Sequence, residues 1–283
     1  MKLVFLGSPP AAATALGALL QAGHDVALVV TRPAKRRGRG SSTSPTPVAE
    51  TAAAFGIPVT SDIAEAKDAG AELGVVVAYG RIIKPDVLAA LPMVNIHFSL
   101  LPRWRGAAPV ERAILAGDEV TGVCLMEVEE GLDTGGVYRR LEVPIAPDDT
   151  AAGLTGRLAE LGAGLLVQAL EEGLGTPVPQ EGEPTYAAKI EPEELRLDWA
   201  RPAAYLQRVV RVGRAWTTWK NRRLLVLEAA PARAVPGPPG SLTGDVVATG
   251  EGGLQLITVQ PEGRRPMAAS DWLRGVHGAL QVG

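Results

Sequence analysis

Lys2-Leu3-Val4-Phe5-Leu6 is followed by the turn Gly7-Ser8-Pro9-Pro10, an Ala/Leu-rich run from Ala11 to Ala22, and then Asp25-Val26-Ala27-Leu28-Val29-Val30. The first run is apolar without alternation, as in a strand covered on both faces. The second has helical length and ends at Gly23; the third is again a strand. The pattern repeats outward, with a helix over 47–55, a strand over 73–78, a helix over 85–91 and a strand over 93–97. Apolar strands separated by helices predict a parallel sheet packed on both sides. Further strands are expected over 121–128 and 136–143, and 150–172 has the length and Leu/Ala spacing of a long helix.

Composition changes after that helix. Residues 173–184 are rich in Gly and Pro and 188–198 are polar, so a domain edge is expected there. The boundaries drawn are 1–185 for the first domain, 186–201 for a linker and 202–283 for the second. A helix over 202–211 opens the second domain. Short strands at 224–228, 244–248 and 253–259, split by Gly/Pro turns, suggest a small barrel. The fold class is therefore α/β with a small β domain attached.

With 283 residues, 46 % hydrophobic and 21 % charged, the chain has the composition of a soluble globular protein able to bury one or two cores. The single Cys124 excludes an intrachain disulfide framework and paired-Cys metal sites, and it fits a reducing compartment. Met1 to Gly7 is too short an apolar run for a signal peptide, and no apolar stretch approaches ~20 residues. A cytoplasmic monomer with no membrane partner is expected. From Arg201 onward eleven Lys/Arg face five Asp/Glu, an excess of +6, whereas the remainder carries −9 of the overall −3. A basic C-terminal third on an acidic body suits a polyanionic partner, or is merely solvated surface.

Asn95 and His97 end the strand at 93–97, and a spacing of two puts both on one face at the edge where parallel sheets place their sites. An Asn amide can donate to a developing oxyanion, and a His can move a proton. A half-buried His satisfied by backbone is the plainer alternative. Asp133, in Gly131-Leu132-Asp133-Thr134-Gly135, is either a carboxylate partner for that imidazole or a turn-forming Asp.

Between them run Ser99-Leu100-Leu101-Pro102 and Trp104-Arg105-Gly106-Ala107-Ala108-Pro109. In order and approximate spacing, the stretch from Asn95 to Gly135 resembles the 10-formyltetrahydrofolate-dependent formyltransferases, most of all the branch acting on methionyl-tRNA. The resemblance implies a Rossmann-like catalytic domain, an OB-like C-terminal barrel, and a catalytic set of Asn95, His97 and Asp133. It implies 10-formyltetrahydrofolate as co-substrate, approached by Ser99, Leu100, Leu101 and Pro102 and by Tyr79 and Gly80, with no metal. It also implies methionyl initiator tRNA as partner, met by a basic loop over 31–47 holding Lys35, Arg36, Arg37 and Arg39. Arg208, Arg211, Lys220, Arg222 and Arg223, around Trp216 and Trp219, are expected to meet the same tRNA. Ser41 and Ser42 replace lysines common in the family's loop. Phe98 is bulkier, and Pro10-Ala11 lacks the usual acidic and Phe residues.

Formyl transfer to a small amine, or hydrolysis of 10-formyltetrahydrofolate, would use the same three residues. A non-catalytic RNA-binding protein is the alternative from another class. A nucleotide-dependent reductase is disfavoured, because Gly7-Ser8-Pro9-Pro10 is not the Gly-x-Gly-x-x-Gly turn.

Overall fold

The structure, a computed structural model, describes residues 1–36, 43–275 and 281–283. The chain forms two compact units. The first comprises Met1–Val110, Val120–Pro144 and Leu154–Ala188; the second comprises Glu111–Glu119, Ile145–Gly153 and Lys189–Gly283.

In the first unit β1 (Lys2–Gly7), β2 (Asp25–Val30), β3 (Val59–Thr60), β4 (Leu73–Val77), β5 (Met93–His97), β6 (Val120–Glu127) and β7 (Val137–Pro144) make one sheet. Their order is β7-β6-β5-β4-β1-β2-β3. From β5 to β3 every pairing is parallel. At the other edge β6 runs antiparallel to β5, and β7 antiparallel to β6. The parallel sheet expected from the strand–helix alternation is present, with an antiparallel hairpin added at one edge. The connection through Gly131–Gly135 is too short for a helical crossover, so β6 and β7 form a hairpin.

Helices α1 (Pro10–Gln21), α2 (Pro47–Ala54) and α3 (Pro85–Ala90) each carry proline in the first turn, where the missing N–H costs nothing. Helix α4 (Pro109–Ala116) follows β5, and α5 (Ala151–Glu172) follows β7. A Cβ on Gly162 of α5 would sit 2.8 Å from Ile96 Cγ2 and 3.1 Å from Val123 Cγ1, so the bare backbone lets α5 lie directly on β5 and β6. Ile96 faces α5. Alternation along β5 therefore turns Asn95 and His97 to the opposite face.

The second unit has helix α6 (Ala203–Val212), which buries Ala203, Leu206, Val209 and Val210 at helical spacing. Among its described residues, β8 (Trp216–Trp219), β9 (Arg222–Ala232), β10 (Leu242–Thr243), β11 (Val246–Ala248), β12 (Gly253–Pro261) and β13 (Met267–Ala268) form one antiparallel sheet. Its order is β8-β9-β12-β11-β10, with β13 also on β12. Helix α7 (Ala269–Arg274) follows. Strand β8 is missing from the sequence reading. It pairs with β9 through Lys220 and Asn221, both at positive φ (49° and 59°), the backbone of a tight primed hairpin turn. Gln281 bridges Ser241 beside β10, while the Gly283 N–H donates to the Thr218 carbonyl of β8 at 3.0 Å. Residues 281–283 thus meet both edge regions of the sheet.

Candidate active site

Asn95 and His97 stand at the carboxyl end of β5, Asn95 in register with Val76 and Met126 and His97 opposite Cys124. His97 is buried. Its Nε2 lies 2.9 Å from the Trp104 carbonyl oxygen. A carbonyl can only accept, so Nε2 carries the hydrogen and Nδ1 is left to exchange a proton. Nδ1 is 3.7 Å from Asp133 Oδ2, beyond a direct hydrogen bond but close enough for a charge on either ring or carboxylate to act on the other. Half-buried Asn95 spends its amide on no partner among the described residues.

Asp133 is placed by backbone. It adopts φ 50°, a left-handed conformation that Asp tolerates, in the β6–β7 hairpin connection. Its Oδ2 accepts the Gly106 N–H at 2.7 Å. Gly106 sits at φ 122°, and a Cβ there would be 2.8 Å from the Ala187 carbonyl oxygen, so a side chain meets both strain and collision. Trp104 also takes positive φ, 63°, an uncommon state for a bulky residue. It is held by its N–H on Thr185 Oγ1 at 2.9 Å and its carbonyl on His97. Sequence reading did not single out Trp104, Gly106 or Thr185 for these tasks. Trp104 and Gly106 lay within a quoted motif, but main-chain roles leave little trace in residue type.

The Ser99-Leu100-Leu101-Pro102 loop divides its labour. Ser99 is fully buried and donates its hydroxyl to the Arg103 carbonyl at 2.6 Å, so this side chain shapes the loop and is not offered to a ligand. Leu101 is a core residue with Cys124, Met126 and Val137. Leu100 and Pro102 are half-buried. After β4, Tyr79 is buried in the core, and exposed Gly80 has φ 69° with open space where a side chain would go. Burial pushes the Cys124 thiol above its ordinary range, which keeps it an inert neighbour. Among the described residues no three His, Cys, Asp or Glu gather as a metal site, and no helix is long and apolar enough to cross a membrane.

The basic residues expected to meet RNA fare differently. Arg37 and Arg39 lie outside the described residues. Lys35–Arg36 pairs antiparallel with Thr43–Ser44. In the second unit Lys220, Arg222 and Arg223 are exposed, with Arg223 4.2 Å over the Trp216 ring and Lys220 4.8 Å from the Trp219 centroid. Arg211 is engaged with backbone. It donates to the Asp149 and Ala146 carbonyls at 2.7 and 2.9 Å, burial lowers its pKa, and its guanidinium is committed inside the unit. Arg208 is half-buried against Gly117 and the Tyr205 ring. Both tryptophans have structural work: Trp219 meets Trp272 edge-on at 5.5 Å, and Trp216 donates to the Pro192 carbonyl at 2.9 Å.

Comparison with known proteins adds to this geometry. Residues 1–170 match the formyl transferase family, and 189–277 match the formyl transferase C-terminal domain. A methionyl-tRNA formyltransferase from Symbiobacterium thermophilum is 43 % identical, covering 100 % of this chain and 94 % of its own length. One from Thiobacillus denitrificans is 45 % identical over 97 % of this chain and 96 % of its own. Among solved structures, the methionyl-tRNA formyltransferase of Clostridium thermocellum superposes with a TM-score of 0.62 at 16 % identity, covering 81 % of this chain and 93 % of that one, a likeness of fold. With both of its domains matched in order and relatives of this identity over its whole length, the chain belongs to the formyl transferase family.

Proposed function

We propose that this formyltransferase moves the formyl group of 10-formyltetrahydrofolate to the α-amine of methionyl initiator tRNA. The observation that carries the reading is the convergence, at the end of β5, of an Asn95 amide without a partner among the described residues and a His97 whose exchangeable nitrogen faces Asp133. The curated relatives named above bear the name of this activity.

The co-substrate supplies an electrophilic formyl carbon. Asn95 donates its amide N–H to the formyl oxygen as charge develops there. His97 takes up through Nδ1 the proton that the attacking amine must lose, and Asp133 steadies the resulting imidazolium. The same Nδ1 can return a proton to the departing folate nitrogen, so the proton count balances within one ring. The folate fits the half-buried Leu100 and Pro102 and the open backbone at Gly80, while Ser99, Leu101 and Tyr79 hold these loops from inside.

Exposed Lys220, Arg222 and Arg223 are proposed to meet tRNA phosphates, along with the basic loop of Lys35, Arg36, Arg37 and Arg39. In this proposal residues 1–185 catalyse, 186–201 link, and 202–283 hold tRNA. The chain works in the cytoplasm, as a monomer.

The test is Asn95→Ala. Loss of one oxyanion donor is expected to cost ~10²–10³ in kcat with tRNA binding retained. Turnover at the wild-type rate would refute the assignment.

A further inference from the structure

Gln180 lies in the Gly/Pro-rich stretch that reads from sequence as a domain edge. From Val178 to Glu183 it is the half-buried residue among exposed ones. Its Nε2 donates to the carbonyls of Asp133 and Gly135, both at 2.8 Å. Its Oε1 accepts Nε and Nη2 of Arg105 at 3.1 and 2.7 Å. The two ends of one amide thus meet two acceptors on one side and a cation's donors on the other. A carboxylate would oppose the carbonyls with oxygen, and an ammonium would oppose the guanidinium with hydrogen.

These four bonds join the backbone of the Asp133 turn to the Arg105 guanidinium. Arg105 precedes Gly106, whose N–H binds Asp133 Oδ2 at 2.7 Å, and Asp133 and Gly135 belong to the turn whose left-handed backbone aims that carboxylate. The strap carrying Gln180 is itself anchored: Val178 and Val137 exchange N–H···O bonds at 2.8 and 3.0 Å, and the Arg105 N–H donates to the Thr185 carbonyl at 2.8 Å. From this geometry we infer that Gln180 is a positioning residue for formyl transfer, locking the Asp133 turn to the Arg105–Gly106 segment and so fixing Asp133 against His97. The inference rests on the catalytic reading above and deepens it.

Two variants of the full chain test it. Gln180→Met keeps length and removes all four bonds; Gln180→Glu keeps an acceptor for Arg105 but loses the donor to the turn. Each is expected to lower kcat about 10–10²-fold, as a misplaced catalytic group does, with KM for methionyl-tRNA within about twofold. In an Asp133→Asn background neither should cause much further loss, because the residue it acts through is already disabled. Wild-type kcat in both variants, a loss carried by KM, or an equal loss in both backgrounds would overturn the inference.

The His97 ring signals, followed by proton–nitrogen NMR at one fixed pH and assigned with His97→Gln, should shift in Gln180→Met; unchanged signals would also overturn it. This second readout uses no substrate. A chain that fails to formylate methionyl-tRNA would therefore refute the acceptor while leaving the role of Gln180 open to measurement.

Discussion

The Nε2 of His97 lies 2.9 Å from the carbonyl oxygen of Trp104, and that contact decides which nitrogen can do chemistry. With Nε2 bound to a backbone acceptor, the neutral ring is the Nε2–H tautomer, and proton exchange falls to Nδ1 beside Asp133. Nitrogen-15 spectra of the neutral His97 ring should show this tautomer. The Nδ1–H form would break the proposed proton route. His97→Asn, which removes the route, should lower kcat ~10²–10⁴-fold.

Gly106 is the next test, because its N–H reaches Asp133 Oδ2 only from a backbone at φ 122°. Gly106→Ala adds a Cβ 2.8 Å from the Ala187 carbonyl oxygen. Strain of this kind costs about 1–3 kcal/mol, so the urea midpoint should fall and kcat should drop with it. An alanine variant as stable and active as wild type would show that the approach is looser than described.

Arg211 and Arg223 separate structural from RNA-facing charge. Arg211 donates to two carbonyls inside its unit, whereas Arg223 is exposed beside Trp216. Arg211→Met should lower the urea midpoint and leave the salt dependence of tRNA binding alone. Arg223→Ala should do the reverse, reducing the slope of log K against log salt by roughly 0.7–0.9 if it meets one phosphate. Identical slopes for wild type and Arg223→Ala would remove that residue from the interface.

A pH effect follows from Glu194. Its side-chain hydrogen bonds to Arg112, at 2.6 and 3.0 Å, hold its carboxyl below the usual carboxylate range, helped by the Glu191 backbone. A carboxyl depressed on folding adds stability above its unfolded pKa, and loses that contribution as pH falls through its folded value. The pair is partly exposed, so the contribution is under ~1 kcal/mol. Arg112→Met should therefore lower stability at neutral pH and flatten its decline in acid, measured as the urea midpoint against pH. An unaltered pH dependence would mean the pair adds nothing.

Much of the first unit is legible in residue order. β5 spans Met93–His97 as read, an apolar run that starts after Pro92 and ends before the Ser99–Pro102 loop. The antiparallel edge was harder: apolar runs reveal strands, but their direction depends on the connection, and Gly131–Gly135 makes a hairpin. β8 escaped because Trp216–Trp219 reads as a tryptophan cluster until the Lys220–Asn221 turn is seen. In the site, Asn95, His97 and Asp133 announce themselves by side chain and order. Trp104 acts through its carbonyl and Gly106 through its N–H, and Gln180 meets the site from a segment 47 residues beyond Asp133 in the chain, so pattern and spacing carry no signal for them.

The central claim is tested most directly by incubating the purified chain with 10-formyltetrahydrofolate and methionyl initiator tRNA, while following formyl-methionyl-tRNA and tetrahydrofolate separately. The account predicts that the two products rise together in equal amounts, and that neither accumulates with Asn95→Ala. Tetrahydrofolate released by the wild-type chain without formylated tRNA would contradict it, and would move the acceptor to water or a small amine.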